Sequence, residues 1–175
     1  MHIIAGVYKG QIIETPRGTV RPTMDKVREA IFAMIRDEIP GSTVLDLYAG
    51  SGSLGLEALS EGAESCHFVD NSYHSIKAIK KNCQKLNVSE YTYLHQCSVM
   101  SYLKNIGKKF NIIFVDPPYK KEYSVKTIYT IFENDVLEER GLIVLETGKY
   151  ENLDELEKRI ITTKVYGDTK VTILQ

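Results

Sequence analysis

Two stretches of the 175-residue chain combine residue types at spacings that can do chemistry. In the first, Thr43 to Gly55, an apolar segment passes through Asp46 into a turn holding Gly50, Gly52 and Gly55. This G-x-G-x-x-G spacing serves a nucleotide because glycines permit a tight turn and a close approach of backbone to ligand. The same glycines also suit a plain strand-to-helix turn. Asp46 changes which ligand fits. A carboxylate at the strand end, within reach of a group held above the loop, repels a pyrophosphate and attracts a cation. S-adenosylmethionine carries an ammonium and a sulfonium and no phosphate, so it matches that charge better than a dinucleotide. Asp70 follows the apolar segment Cys66 to Val69 at the spacing of a ribose-hydroxyl acceptor, which supports an adenosine moiety of either cofactor type.

The second stretch is Asp116-Pro117-Pro118-Tyr119, directly after the apolar run Ile112 to Val115. Two successive prolines fix an extended backbone and remove its N–H groups, leaving carbonyls free to accept. A carboxylate, a proline carbonyl and an aromatic ring at one strand end suit a flat base with an exocyclic amine. The ring stacks on the base while the two oxygens accept the amine's N–H bonds. The bland reading is a rigid turn whose tyrosine packs on the surface.

From Thr43 onward the pattern alternates strand and helix, which predicts a parallel sheet covered on both faces. Strands are expected at Thr43 to Tyr48, Ser65 to Asp70, Tyr91 to Gln96, Phe110 to Val115 and Leu142 to Glu146. Helices are expected at Leu54 to Ser60, Ser72 to Leu86, Val99 to Asn105 and about Glu122 to Phe132, with a short one around Asn152 to Glu157. Arg159 to Val165 and Lys170 to Leu174, joined by Tyr166-Gly167-Asp168, read as an antiparallel hairpin. The sheet is therefore seven-stranded and mostly parallel. The strand ends at Asp46, Asp70, Gln96 and Asp116 should converge on one crevice. Residues 1–40 read as an extension: a small β-hairpin around Lys9-Gly10, a loop, then a helix capped by Thr23 and ending near Pro40-Gly41. Residues 41–175 hold the main fold.

The length fits one domain, and neither a membrane-spanning run nor a signal-peptide pattern is present, so a soluble cytoplasmic protein is expected. Cys66, Cys83 and Cys97 lack C-x-x-C spacing, and the four histidines form no H-x-x-x-H pair; no metal is expected. A net charge of −1 argues against a binder that meets nucleic acid with its whole surface. A local patch remains, because Lys9, Arg17, Arg21, Lys26 and Arg28 face only Glu14 and Asp25 in the first 28 residues. On charge alone, a solvated, charge-mixed surface is the favoured reading.

The D-P-P-Y motif after such a strand resembles motif IV of the S-adenosylmethionine-dependent amino methyltransferases. Over essentially its full length the chain resembles the RsmD-type 16S ribosomal RNA guanine-N2 methyltransferases. The likeness runs through Ile3-Ile4-Ala5-Gly6, Lys9-Gly10, Arg21-Pro22-Thr23, Val27-Arg28-Glu29, Asp46 to Gly52, D-P-P-Y and the closing Tyr166-Gly167 hairpin. The resemblance implies an α/β, Rossmann-like class I methyltransferase domain with S-adenosylmethionine as cofactor. It puts Asp46, Ala49, Gly50, Ser51 and Gly52 around the methionine half, Asp70 on the ribose, and Asn71 near the adenine. Many relatives accept the adenine amine with an acid after the third strand; here that slot reads Ser98-Val99. The catalytic set implied is Asp116, Pro117, Pro118 and Tyr119. Arg21, Thr23 and Arg28 would line the RNA side, with Lys9 and Arg17 on phosphates. The implied partner is ribosomal RNA or a small-subunit particle, met by a monomer.

Three competing readings share these residues. A DNA or RNA adenine-N6 methyltransferase uses the same D-P-P-Y site, although the DNA enzymes need a recognition domain for which this chain has no room. An NAD-dependent dehydrogenase is disfavoured by Asp46 and the proline turn. A non-catalytic nucleic-acid-binding module would not need the intact motif set.

Overall fold

Val44 and Leu45 are both fully buried, and adjacent side chains of a strand point to opposite faces, so this strand must be covered on two sides. The computed structural model describes residues 1–15, 22–118 and 121–175, without the side chains of residues 22–24, 121 and 122. Among the described residues, β1 (Thr43–Leu47), β2 (Ser65–Asp70), β3 (Thr92–Gln96), β4 (Phe110–Val115), β5 (Leu137–Gly148), β6 (Ile160–Tyr166) and β7 (Thr169–Leu174) form one sheet. Its order is β3-β2-β1-β4-β5-β7-β6. The first five strands run parallel, and β7 is antiparallel to both β5 and β6. This is the mostly parallel seven-stranded sheet with a C-terminal antiparallel hairpin that the sequence predicts.

Alternate strand residues build two cores. Val44, Phe68, Ile112, Phe114 and Val144 share one with α1 (Pro22–Ile35), α2 (Ser53–Ser60) and α3 (Tyr73–Lys85). Leu45, Leu47, Val69, Ile113, Val115 and Leu145 share the other with α4 (Val99–Asn105) and α5 (Lys121–Glu133). Gly55 shows how closely α2 sits on the sheet. A Cβ there would meet Phe68 Cε1 at 2.4 Å and Cys66 Sγ at 2.5 Å. No helix among the described residues is long and apolar enough to cross a membrane.

The amino-terminal region departs from expectation. Its β-hairpin is short, a single bridge from His2 to Ile12, flanked by cross-chain bonds in which Ile3 N–H donates to the Gln11 carbonyl, Gly10 N–H to the Ile3 carbonyl and Ile13 N–H to the Met1 carbonyl. Ile4 and Ala5 donate to the Glu57 carboxyl, Val7 to the Ser60 carbonyl and Tyr8 to the Ser60 hydroxyl, so the segment is tied to α2. Ile3 and Ile13 are buried in the first core beside Val27, Ile31 and Ile35 of α1. Residues 1–15 and 22–40 thus share the sheet's core, and no packing boundary falls at residue 40. Thr23 lies inside α1, which opens at Pro22, so it is not the helix cap. Two smaller differences lie near the carboxyl end. β5 begins five residues before the predicted Leu142, because Leu137 already pairs with Phe110 while the exposed Glu138, Glu139 and Arg140 hide the apolar pattern. The short helix is a 3₁₀ segment, Asp154–Arg159.

Candidate active site

Leu47 pairs with Val69 on one side and with Val115 on the other, and Val115 pairs with Leu145. The next residue of each segment therefore falls in one row at the carboxyl edge of the sheet: Asp70, Tyr48, Asp116 and Glu146. Gln96 extends the row beyond Asp70. Ligands of open α/β sheets bind outside this edge. Asp46 lies two residues inside the row and is only 2% exposed, so the strand-end position expected for it is taken by Tyr48.

Asp46 acts from below. Its Oδ2 accepts the Gly55 N–H at 2.9 Å, which fixes the start of α2 against β1. Burial raises its pKa well above the carboxylate range, and the Asp116 and Asp70 charges push the same way. The glycine turn between them is held on all sides. Gly50 and Gly52 take φ values of 56° and 77°, and Tyr48 itself has φ 60°, a costly angle for a bulky residue. The Tyr48 hydroxyl is 2.8 Å from Thr127 Oγ1 of α5, which anchors the strained residue. Asp70 accepts the Gly50 N–H through Oδ2 and the Ser72 N–H through Oδ1. The Ser51 carbonyl accepts from Asn82, which also bonds Glu14. Ala49 is buried.

These groups fit S-adenosylmethionine. The first N–H groups of α2, at Ser53 and Leu54, have no intrahelical partner and suit a ligand carboxylate. The Asp70 carboxylate keeps lone pairs beyond its two backbone bonds, enough for ribose hydroxyls. A polyphosphate would meet the acids of the row instead of cations. Asn71 is exposed next to Asp70. The Ser98 hydroxyl accepts the Ser101 N–H as the cap of α4, and Val99 is buried, so the side chains in that slot serve the helix. An adenine amine there would have to use backbone.

Asp116 and Glu146 line one open, shallow pocket with Ser53, Leu54, Met1, Arg28 and Ile31. Asp116 is exposed at its outer side and Glu146 half-buried; the protein packed around them raises Asp116 to about 6, and the same loss of solvation followed by the Asp116 charge raises Glu146 to about 8. Near neutral pH such a pair holds a proton between its members. Pro117 is buried and Pro118 exposed beside them. Tyr119 lies outside the described residues, as do Arg17, Arg21 and the Thr23 side chain.

Arg28 departs from its expected place on an RNA-facing surface. It is 3% exposed, donates to the His2 carbonyl and to Asp25, and has Nε 3.4 Å from Glu57 Oε2. Its charge is committed to docking the amino-terminal segment on α2. Lys9 is exposed, but its turn bonds to Ser60, at the far end of α2 from the glycine loop. Among the described residues, no group of three or more His, Cys, Asp or Glu is arranged to hold a metal ion.

Two row residues escaped the sequence reading. Glu146 had a signal: like Asp70 and Asp116, it is the acid that ends an apolar run, Leu142 to Leu145. Tyr48 had only its place between Asp46 and the glycines.

The family model described as Conserved hypothetical protein 95 matches residues 1–175. The Bacillus subtilis protein YlbH, provisionally named an rRNA methyltransferase, is 38% identical over 179 residues, covering 99% of this chain and 97% of its own. Ribosomal RNA small subunit methyltransferase D of Escherichia coli is 33% identical over 148 residues, covering 84% of this chain and 74% of that protein. The solved structure of yhhF from Escherichia coli, provisionally described as a methyltransferase, matches with a TM-score of 0.89 at 30% identity, over 100% of this chain and 97% of that one. With a full-length family match and the same fold, the chain belongs to the RsmD-type methyltransferase family.

Proposed function

We propose that this chain methylates the exocyclic N2 amine of a guanine in small-subunit ribosomal RNA, with S-adenosylmethionine as donor. The observation that carries the reading is the row at the carboxyl edge, where Asp116 of the D-P-P turn stands one strand away from the glycine loop. The names of the relatives supply the substrate class.

S-adenosylmethionine supplies, when bound, an electrophilic methyl group on its sulfonium. Asp70 and the α2 amino terminus orient the donor from the β1–β2 side. Asp116 and the Pro117 carbonyl accept the two N–H bonds of the target amine from the β4 side. Holding both bonds turns the nitrogen lone pair away from the ring, a positioning contribution that can reach several kcal/mol. Asp116 stabilises the positive charge that develops on nitrogen and receives the proton late in the reaction. A guanine in a duplex must leave its stack to reach the pocket, and Tyr119 then replaces the lost stacking. Lys9, Arg17, Arg21 and Thr23 are assigned to the RNA side, Lys9 as a peripheral phosphate contact.

The test is methyl transfer to small-subunit particles from cells lacking the protein, followed by nucleoside analysis. N2-methylguanosine is the expected product. Appearance of N6-methyladenosine instead would replace this reading by the adenine-N6 one.

A further inference from the structure

Glu146 stands beside Asp116, one strand along the same row, and both line the pocket that the glycine loop borders. Nothing in the reaction described above uses it. A guanine held by its N2 amine presents a second donor next to that amine, the ring N1–H, followed by the O6 acceptor. Adenine held by its N6 amine presents a bare lone pair at N1. The two bases therefore differ most at the atom adjacent to the gripped amine, which is the atom a neighbouring side chain meets.

We propose that Glu146 is the residue that selects guanine, its carboxylate accepting N1–H while Asp116 and the Pro117 carbonyl hold the N2 amine. The inference rests on the guanine-N2 reading and adds to it a determinant of base choice. Asp116 and Glu146 come from parallel strands, which lie about 4.8 Å apart, so two acceptors face one base edge from adjacent positions. Glutamate is one methylene longer than aspartate and reaches past the amine to the ring. A carboxylate opposite a lone pair leaves both unsatisfied, and sites built around such a hydrogen bond reject analogues that lack the donor. The charged groups that share the pocket wall with Glu146 are Asp116 and Arg28, Asp116 acts on it directly, and Arg28 is balanced by Asp25 and Glu57. In the free protein Glu146 keeps its proton. Two adjacent N–H donors favour the ionised form, so that proton passes to solvent as guanine enters.

The probe is 2,6-diaminopurine, which keeps the N2 amine but has a lone pair at N1 and an amine in place of O6. It replaces guanine at the methylated position of an RNA that the unaltered protein accepts. The unaltered protein should favour guanine over diaminopurine by on the order of 10² in kcat/KM. Glu146→Gln should lower turnover on guanine and shrink that preference at least tenfold, because its amide can donate to a bare N1. Glu146→Asp, whose carboxylate falls short of N1, should lose turnover on guanine and with it most of the preference. Calorimetric binding of S-adenosylmethionine should be unchanged in both variants, which separates base choice from misfolding. Equal use of guanine and diaminopurine by the unaltered protein overturns the proposal, as does an unchanged preference in Glu146→Gln. A protonated Glu146 donating to adenine N1 would show the reverse, with transfer to adenine at low pH, and that also overturns it. Failure of the guanine-N2 reading is distinguished by the unaltered protein alone, which would then form no N2-methylguanosine on any RNA.

Discussion

Arg28 and Glu57 form an ion pair inside the protein, Nε to Oε2 at 3.4 Å with side-chain exposures of 4% and 0%. Removing one partner leaves the other charge buried and unpaired, at a cost of about 3–5 kcal/mol. Arg28→Ala should lower the unfolding free energy by about that amount, measured by urea denaturation. Glu57→Ala should do at least as much damage, since Ile4 and Ala5 also lose their acceptor. A loss under about 1 kcal/mol, the scale of an exposed pair, would return Arg28 to the RNA surface.

Stability should fall as pH rises above neutrality. Asp116 at about 6 and Glu146 at about 8 hold protons in the native state that the unfolded chain has already released. Their stabilisation is complete below the unfolded values of 3.8 and 4.5 and is lost as pH rises through the folded values. Burial of Asp46 and Glu57 acts in the same direction. His67 acts oppositely, because burial followed by the Lys108 and His95 charges lowers it to about 4, and its contribution is lost as pH falls from 6.5 through that value. Above 6.5 the His67 contribution is constant, so urea midpoints between pH 6.5 and 8.5 report the acids. The midpoints should decline over that range, and Asp116→Asn with Glu146→Gln should flatten the decline. Parallel curves would dissociate the pair from it.

Asp70 serves two partners, Gly50 N–H and Ser72 N–H, before any ligand arrives. Asp70→Ala should therefore loosen the glycine turn and remove the ribose acceptor together. Cofactor affinity should drop by roughly 1.5–3 kcal/mol, as for hydrogen bonds to a charged group. Calorimetry reads the change, and unaltered affinity would take Asp70 out of the site.

Tyr48 tests the value of the strained residue in the middle of the row. Tyr48→Phe keeps the ring and the φ of 60° but frees Thr127 Oγ1 from its 2.8 Å bond. A loss of about 0.5–1.5 kcal/mol in stability is expected, with cofactor binding retained. A collapse of cofactor affinity in this variant would place the hydroxyl in the cofactor site.

The bounds of β2, α4 and β4 follow directly from the sequence, because each is an apolar run ended by a residue of clear local meaning: Asp70, the Ser98 cap and its helix, or Asp116-Pro117. What pattern alone hides is depth. Asp46 looks like a strand end when the next residues are a tyrosine and glycines, yet pairing with β2 and β4 continues one residue further and buries it. Arg28 looks like part of a basic surface because counting charges does not register burial. Its partner was visible as Glu57, the one charged residue in the helix Ser53–Ser60. The amino-terminal hairpin around Lys9-Gly10 is present but short, one bridge with a few cross-chain bonds, because Ile4, Ala5, Val7 and Tyr8 donate to α2 instead, a tertiary competition that no local periodicity encodes.

If recognition and chemistry occupy different parts of the chain, as proposed, Arg21→Ala and Asp116→Ala should fail differently. Arg21 immediately precedes α1, and two residues of α1, Arg28 and Ile31, line the pocket. Under the proposed assignment its loss removes one phosphate contact. RNA affinity should fall, and the slope of affinity against salt should become shallower by about one counterion, while cofactor binding stays normal. With Asp116 acting on the amine under the same proposal, Asp116→Ala should keep RNA affinity and its salt slope and lose single-turnover methyl transfer by about 10² or more. Both variants are measured on small-subunit particles from cells lacking the protein, across a range of salt concentrations. Normal RNA affinity for Arg21→Ala at every salt concentration would make the basic segment an ordinary solvated surface. Transfer by Asp116→Ala at the parent rate would remove the carboxylate of the D-P-P-Y turn from the reaction, and the pairing of Asp116 with Glu146 would then need another explanation than catalysis.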